Sequence, residues 1–213
     1  MESRLGDIER ARQLFEQGTR ANPTDAAVWQ AWALMESRLG DIERARQLFE
    51  QGTRANPTDA AVWQAWALME SRLGNIERAR RLFEQGTRAN PSDAATWQAW
   101  ALMELQLNSP NQALQILERG LRKVMDAEGR ASLYCLQGSA YARLEKFREA
   151  EESFEQAIRL NPQEARNHYF FALQVLEPLG RRKEAIEHYQ RALQLRPRPE
   201  DRRKIEKALS RLK

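Results

Sequence analysis

Few residues of this 213-residue chain can do bond-making chemistry. Cys135 is the only cysteine, and His168 and His188 are the only histidines. Neither histidine stands at metal-ligand spacing from the other or from Cys135. Nothing around Cys135 suggests an activated thiol, so it reads as a small residue on or beside a helix wall. There is no glycine-rich phosphate loop and no Ser/His/Asp arrangement. Acidic pairs abound, and all read as solvated helix faces. The expectation is therefore no enzyme, no metal site and no cofactor.

What remains is the chemistry of contact. Six tryptophans stand as three pairs, Trp29 and Trp32, Trp63 and Trp66, Trp97 and Trp100. Such rings can stack on RNA bases. Each pair is also spaced i, i+3 on the apolar side of a helix, and the core reading is the one adopted. A second set is amide and guanidinium: Gln30, Arg38, Gln64, Arg72, Gln98 and Gln106, then Arg143 and Arg166 with Tyr169. It can hydrogen-bond a peptide backbone or RNA, or it can simply be solvated. The third is the basic end. Arg181–Lys213 holds twelve basic and five acidic residues, concentrated at Arg181, Arg182 and Lys183 and at Arg202, Arg203 and Lys204. That surplus attracts RNA or an acidic partner, and it equally suits a solvated cap.

These residues sit on a repeat. Met35–Leu68 repeats Met1–Leu34 letter for letter, and Met69–Leu102 differs only at Asn75, Arg81, Ser92 and Thr96. A fixed period of 34 residues marks an array whose units bury their apolar faces by stacking on one another. One unit reads as two helices. The first runs Asp25–Arg38 behind Pro23, with Asp25 or Thr24 as its N-cap. Gly40 ends it, Asp41 caps the second, and Asn56-Pro57 stops the second after Ala55. Ile42, Ala45, Leu48, Phe49 and Gly52 give that second helix one apolar side.

Hairpins are thus expected at Asp25–Ala55, Asp59–Ala89 and Asp93–Met125, the last with Pro110 in a first helical turn. Two more follow, Ala131–Leu144 with Phe147–Leu160, and Gln163–Leu176 with Arg181–Leu195. A terminal helix, Glu200–Leu212, reads as the polar-faced cap such arrays need. The chain begins inside a unit. Met1–Leu5 reads as the end of a first helix, and Asp7–Ala21 as a second helix with one apolar side uncovered. That side suggests self-association.

Gly18, Gly52, Gly86 and Gly120 lie inside second helices, where glycine costs about 1 kcal/mol against alanine. Close packing is the expected compensation, making room for Trp29, Trp63, Trp97 and Tyr134 on the following helix. Arginine outnumbers lysine 28 to 6, yet the net charge is only +4. Glu43 and Glu50 can pair with neighbouring arginines along their helix. No apolar run is long enough to cross a bilayer, and MESRLGDIER lacks the features of a signal peptide. One cysteine permits no intrachain disulfide, which fits a soluble, intracellular protein.

Trp29-x-x-Trp32-Ala33-x-x-Glu36 followed by Arg44-Ala45-Arg46-x-Leu48-Phe49-Glu50 resembles the half-a-tetratricopeptide (HAT) repeat, and the pattern recurs at Trp63–Glu84 and Trp97–Glu104. Gly138-x-x-Tyr141, Ala150, Phe154, Ala157 and Pro162 resemble the tetratricopeptide repeat proper. Ala172, Gly180, Ala185, Tyr189, Ala192 and Pro197 do so with one extra residue near Pro178. The resemblance implies an all-α solenoid, a right-handed superhelix of antiparallel hairpins with a concave groove. It divides the chain into HAT-like repeats over 1–125 with the first truncated, two tetratricopeptide-like repeats over 126–198, and a cap over 199–213, in one continuous solenoid. It also implies a scaffold whose groove holds a protein or peptide, or single-stranded RNA, away from any membrane. An array made by duplication or construction, with no specific ligand, fits the same letters.

Overall fold

The computed structural model describes residues 2–212, and among them every regular element is helical. The helices are α1 (Glu2–Ala21), α2 (Ala26–Leu39), α3 (Ile42–Ala55), α4 (Ala60–Arg72), α5 (Ile76–Ala89), α6 (Ala94–Gln106), α7 (Pro110–Leu121), α8 (Ala127–Arg143), α9 (Phe147–Leu160), α10 (Ala165–Phe171), α11 (Arg182–Gln194) and α12 (Pro199–Leu212). They build an all-α solenoid of helical hairpins. Contacts group them into two compact units, Met1–Thr96 and Trp97–Lys213, divided within α6.

In the first unit the turns follow from side-chain chemistry. The Asp25 and Asp59 carboxylates accept from the amides of Ala27 and Ala61, each at 3.0 Å. Gly40, at φ +89°, reverses the chain after α2, and the Asp41 carboxylate accepts from Arg44 N at 3.0 Å. The alternation of α2/α3 and α4/α5 hairpins buries Ala33, Ala45, Phe49, Ala67, Ala79 and Phe83 completely. Trp32 stacks on Phe15 and Trp66 on Phe49, both at 5.9 Å.

Two expectations need correction here. No turn forms at Gly6: α1 is one helix from Glu2 to Ala21. Met1 lies outside the described residues. The uncovered side is as expected, since Leu14 is 60% exposed while its repeat equivalent Leu48 is 2% exposed.

The glycines do permit close packing, but the partners differ from those expected. A Cβ on Gly52 would lie 3.1 Å from Trp29 Cβ, on the preceding helix, and 3.2 Å from Val62 on the following one. Gly86 meets Trp63 and Thr96 in the same way, and Gly120 meets Trp97 and Leu133. Gly18 faces Val28. The tryptophan therefore belongs to the glycine's own hairpin, and the next helix offers the residue before its aromatic position.

In the second unit α7 stops at Leu121, short of Met125, and α8 starts at Ala127, four residues before Ala131. Asp126 causes the early start by capping Gly129 N at 2.5 Å. Arg130 then donates to the Leu121 and Val124 carbonyls at 2.7 and 3.2 Å, satisfying the end of α7 where no Asn-Pro stands. The extra residue near Pro178 is absorbed upstream, where Ala172–Leu176 forms a π-helical turn continuing α10. Helix α12 caps this unit with buried Ile205, Ala208 and Leu209.

Gly138 is the tightest position, because a Cβ there would lie 2.8 Å from the ring of fully buried Phe154. Gly138→Ala is expected to cost about 1–3 kcal/mol despite alanine's better helix propensity. Thermal unfolding followed by circular dichroism checks this; an unchanged or higher Tm would contradict the packing argument.

Candidate partner-binding surfaces

The first helices of the hairpins carry the amide and guanidinium residues singled out in the sequence. In the first unit α2 and α4 lie side by side. Ala27, Ala31 and Arg38 of α2 and Ala61 and Arg72 of α4 are exposed, with Gln30, Leu34, Gln64 and Leu68 half-buried between them. Apart from Ala31, whose equivalent Ala65 is half-buried, each residue of one set has its equivalent in the other, so the same apolar and amide groups recur in register. Gln64 donates to the Ala95 carbonyl at 3.3 Å. In the second unit Gln98 is half-buried, while Leu102 and Gln106 are exposed.

The later candidates are engaged within the chain. Arg143 donates to the Leu105 carbonyl at the end of α6. Arg166 pairs with buried Asp201 at 3.0 Å. Tyr169 is only 6% exposed and packs against Tyr189 and Phe170. Cys135 is buried, and burial pushes its thiol up to about 12, which leaves it protonated and unreactive at neutral pH.

The tryptophans are packing residues. Within each pair the rings stack at 6.3 Å. Trp32, Trp66, Trp97 and Trp100 are buried. Trp29 and Trp63 keep a partly exposed edge and donate Nε1 to the carbonyls of Pro23 and Pro57 at 3.0 and 3.2 Å.

The carboxylates four residues after the second tryptophan are not solvated, contrary to the expectation for acidic residues. Glu36 and Glu70 are 0% exposed and Glu104 is 1% exposed. Glu70 accepts two bonds from Arg46, at 2.8 and 2.9 Å, one from Trp66 Nε1 at 3.2 Å and one from Asn75 at 2.8 Å. Glu36 accepts from Arg12 at 2.8 and 2.7 Å and from Trp32 at 2.9 Å. Arg12 and Arg46 come from the helix before, so Glu36 joins the α2/α3 hairpin to α1 and Glu70 joins the α4/α5 hairpin to α2/α3. Burial alone would raise the Glu70 pKa, but the bonds from Arg46, Asn75 and Trp66 and the charge of Arg78 hold it down at about 2. A pattern of Trp-x-x-x-Glu with Arg 24 residues earlier is the sequence signal for this clamp.

On the side of the second helices, a cleft of about 740 Å³ lies over Trp63 and Trp66. A smaller one, about 430 Å³, repeats it over Trp29 and Trp32. Their charges are largely spent. Arg54 pairs with Glu50 at 2.6 Å, and Arg78 reaches Glu70 at 3.2 Å while lying over the Trp66 ring. The basic C-terminal region is also partly neutralised. Arg181 pairs with Glu151 and Glu184 at 2.7 and 2.6 Å, and Arg202 pairs with Glu206 at 3.0 Å. Arg182 donates to the Leu212 carbonyl, while Lys183, Arg203 and Lys204 are exposed. His168 and His188, unrelated by spacing in sequence, come together with Nδ1 atoms 3.1 Å apart.

The architecture is that of a helical-repeat scaffold. Family models described as tetratricopeptide repeat match residues 4–69, 60–103 and 135–201, and the chain belongs to that family. No curated protein sequence matches it. Among solved structures it is similar to yeast Tom70, with a TM-score of 0.77 and 16% identity over 93% of this chain and 42% of that one. It is also similar to a chain of the APC/C hetero-tetramer Cut9–Hcn1, with a TM-score of 0.67 and 18% identity over 98% of this chain and 40% of that one. A third is YrrB, described as a TPR protein with an unusual peptide-binding site, at a TM-score of 0.57 and 18% identity over 91% of this chain and 97% of that one. The chain thus spans about two fifths of the Tom70 and Cut9–Hcn1 chains it matches. No described helix is long and apolar enough to cross a membrane.

Proposed function

We propose that the protein is a non-catalytic scaffold holding an extended segment of a partner protein along the exposed sides of α2 and α4, the first helices of the hairpins in its first unit. The observation that carries this is the contrast between the two sides. On the second-helix side most charged groups are spent in intrachain pairs. On the first-helix side α2 and α4 present Gln, Leu and Arg in the same register. An extended backbone needs a row of amide donors and acceptors with apolar contacts between them. The peptide-binding site described for YrrB supports the same kind of ligand.

Selection from a random peptide library tests it. Selected peptides are expected to bind the wild type, and Leu34→Glu with Leu68→Glu is expected to weaken binding by about tenfold or more without changing the helical spectrum, since half-exposed apolar contacts are replaced by charge. Failure to select any peptide, or binding indifferent to the double substitution, would refute the reading. An oligonucleotide shift that weakens steeply with salt would instead assign the surface to RNA.

A second reading rests on the open side of α1. Leu14, at 60% exposure, marks a face that its equivalents bury. Concentration-dependent association through that face is expected, and Leu14→Glu should abolish it. Light scattering showing a monomer at high concentration would count against this.

A further inference from the structure

We propose that His168 and His188 form a two-nitrogen site, between α10 and α11, for a borderline divalent cation of the zinc, nickel or copper class. The residues are 20 positions apart in the chain and on different helices, yet their Nδ1 atoms converge to 3.1 Å. Two metal–nitrogen bonds of about 2.05 Å place their nitrogens about 3.3 Å apart at a tetrahedral angle and about 2.9 Å apart at a right angle. The observed separation falls between these limits, so the two nitrogens are spaced as shared ligands of one cation would be. The His188 ring is further held by an edge contact with Phe171, at 4.8 Å and 88° between planes.

The protonation states suit this role. Burial, His188 and Arg191 hold His168 down at about 4. Burial also lowers His188, against the opposing pull of Glu184 and Glu187, with Arg181 adding to the lowering. The neutral imidazole is the form that ligates metals. In the empty pair one Nδ1–H donates to the other Nδ1. Binding requires that ring to carry its proton on Nε2 instead, so both Nδ1 lone pairs face the cation and no net proton is released. Water completes the coordination, and two protein ligands make the affinity far weaker than that of a four-ligand structural site. The cation would pin α10 to α11 across the intervening π-helical turn.

The test uses the full chain without a polyhistidine tag, titrated at neutral pH with zinc chloride and, separately, nickel chloride. Zinc is expected to shift the Nδ1 resonances of both histidines in imidazole nitrogen NMR. It should also raise the Tm by about 3–10 °C once the cation is in large excess over its Kd. His168→Gln and His188→Gln should each abolish both effects. Unmoved Nδ1 resonances in the wild type at about millimolar zinc would overturn the proposal, whatever the variants do. So would a thermal shift that persists in the double variant, which would place the cation elsewhere.

Discussion

Replacing Glu70 with alanine is expected to lower the Tm by about 10 °C, more than any exposed charge in the chain. The side chain is 0% exposed and Arg46 is 22% exposed, so the pair is largely withdrawn from water. Removing the carboxylate takes away the buried partner of Arg46, which keeps only the exposed Glu43 at 2.6 Å, and leaves the Trp66 indole and the Asn75 amide without their acceptor. Breaking such a pair from one side costs about 3–5 kcal/mol, which at this chain length corresponds to roughly 6–20 °C. An exposed pair such as Arg54 with Glu50 is worth less than about 1 kcal/mol. The same group sets an acid limb. Its folded pKa, about 2, lies below the ordinary 4.5, so its stabilisation is complete above about pH 4.5 and is lost as the pH falls toward 2. The linked contribution is about 3 kcal/mol. Glu36, lowered first by its bonds from Arg12, contributes with the same sign. Urea melts between pH 6 and 2 should show a steep loss for the wild type and a shallower one for Glu70→Ala; parallel curves would contradict the assignment.

Gly52→Leu is the second large effect. Trp29 Cβ and Val62 Cγ1 would stand 3.1 and 3.2 Å from the first added carbon alone, and the Ala26 carbonyl 3.7 Å from it. The Trp29 atom is the base of its side chain, so moving it means moving α2 itself. Three further carbons have no space, and α3 must separate from α2 or α4. The expected cost is 3 kcal/mol or more, beyond ordinary overpacking of about 1–3 kcal/mol. Loss of helical signal at 37 °C or a Tm lowered by about 10 °C or more is predicted. A melt superimposable on the wild type would show that the hairpins are not in close contact there.

The parts of the fold that local chemistry decides were readable from the letters. Asp25 and Asp41 cap where they stand, Gly40 turns where it stands, and α3 runs from Ile42 to Ala55 as its stop signals require. What failed depended on partners from distant sequence. Gly6 has the same sequence neighbours as Gly40, yet the same string forms a turn in one place and continuous helix in the other. Glu36 and Glu70 look like any surface glutamate until the arginine 24 residues back is brought over them. His168 and His188 meet although they are 20 positions apart and on different helices, which no local spacing signals. Of the surface residues, the Gln30 and Gln64 register was legible from the period itself. The commitment of Arg166 to Asp201 and of Tyr169 to the core was not, because α12 supplies the first partner and α11 part of the second.

A double-mutant cycle on Arg46 and Glu70 addresses the repeat junction directly. Arg46→Ala, Glu70→Ala and the pair of substitutions together would be compared by urea unfolding. If one hairpin is clamped to the next through this carboxylate, the double variant should be about 2–3 kcal/mol more stable than the sum of the single losses predicts. Additive losses, within about 0.5 kcal/mol, would mean that the junction is held by something other than the buried ion pair.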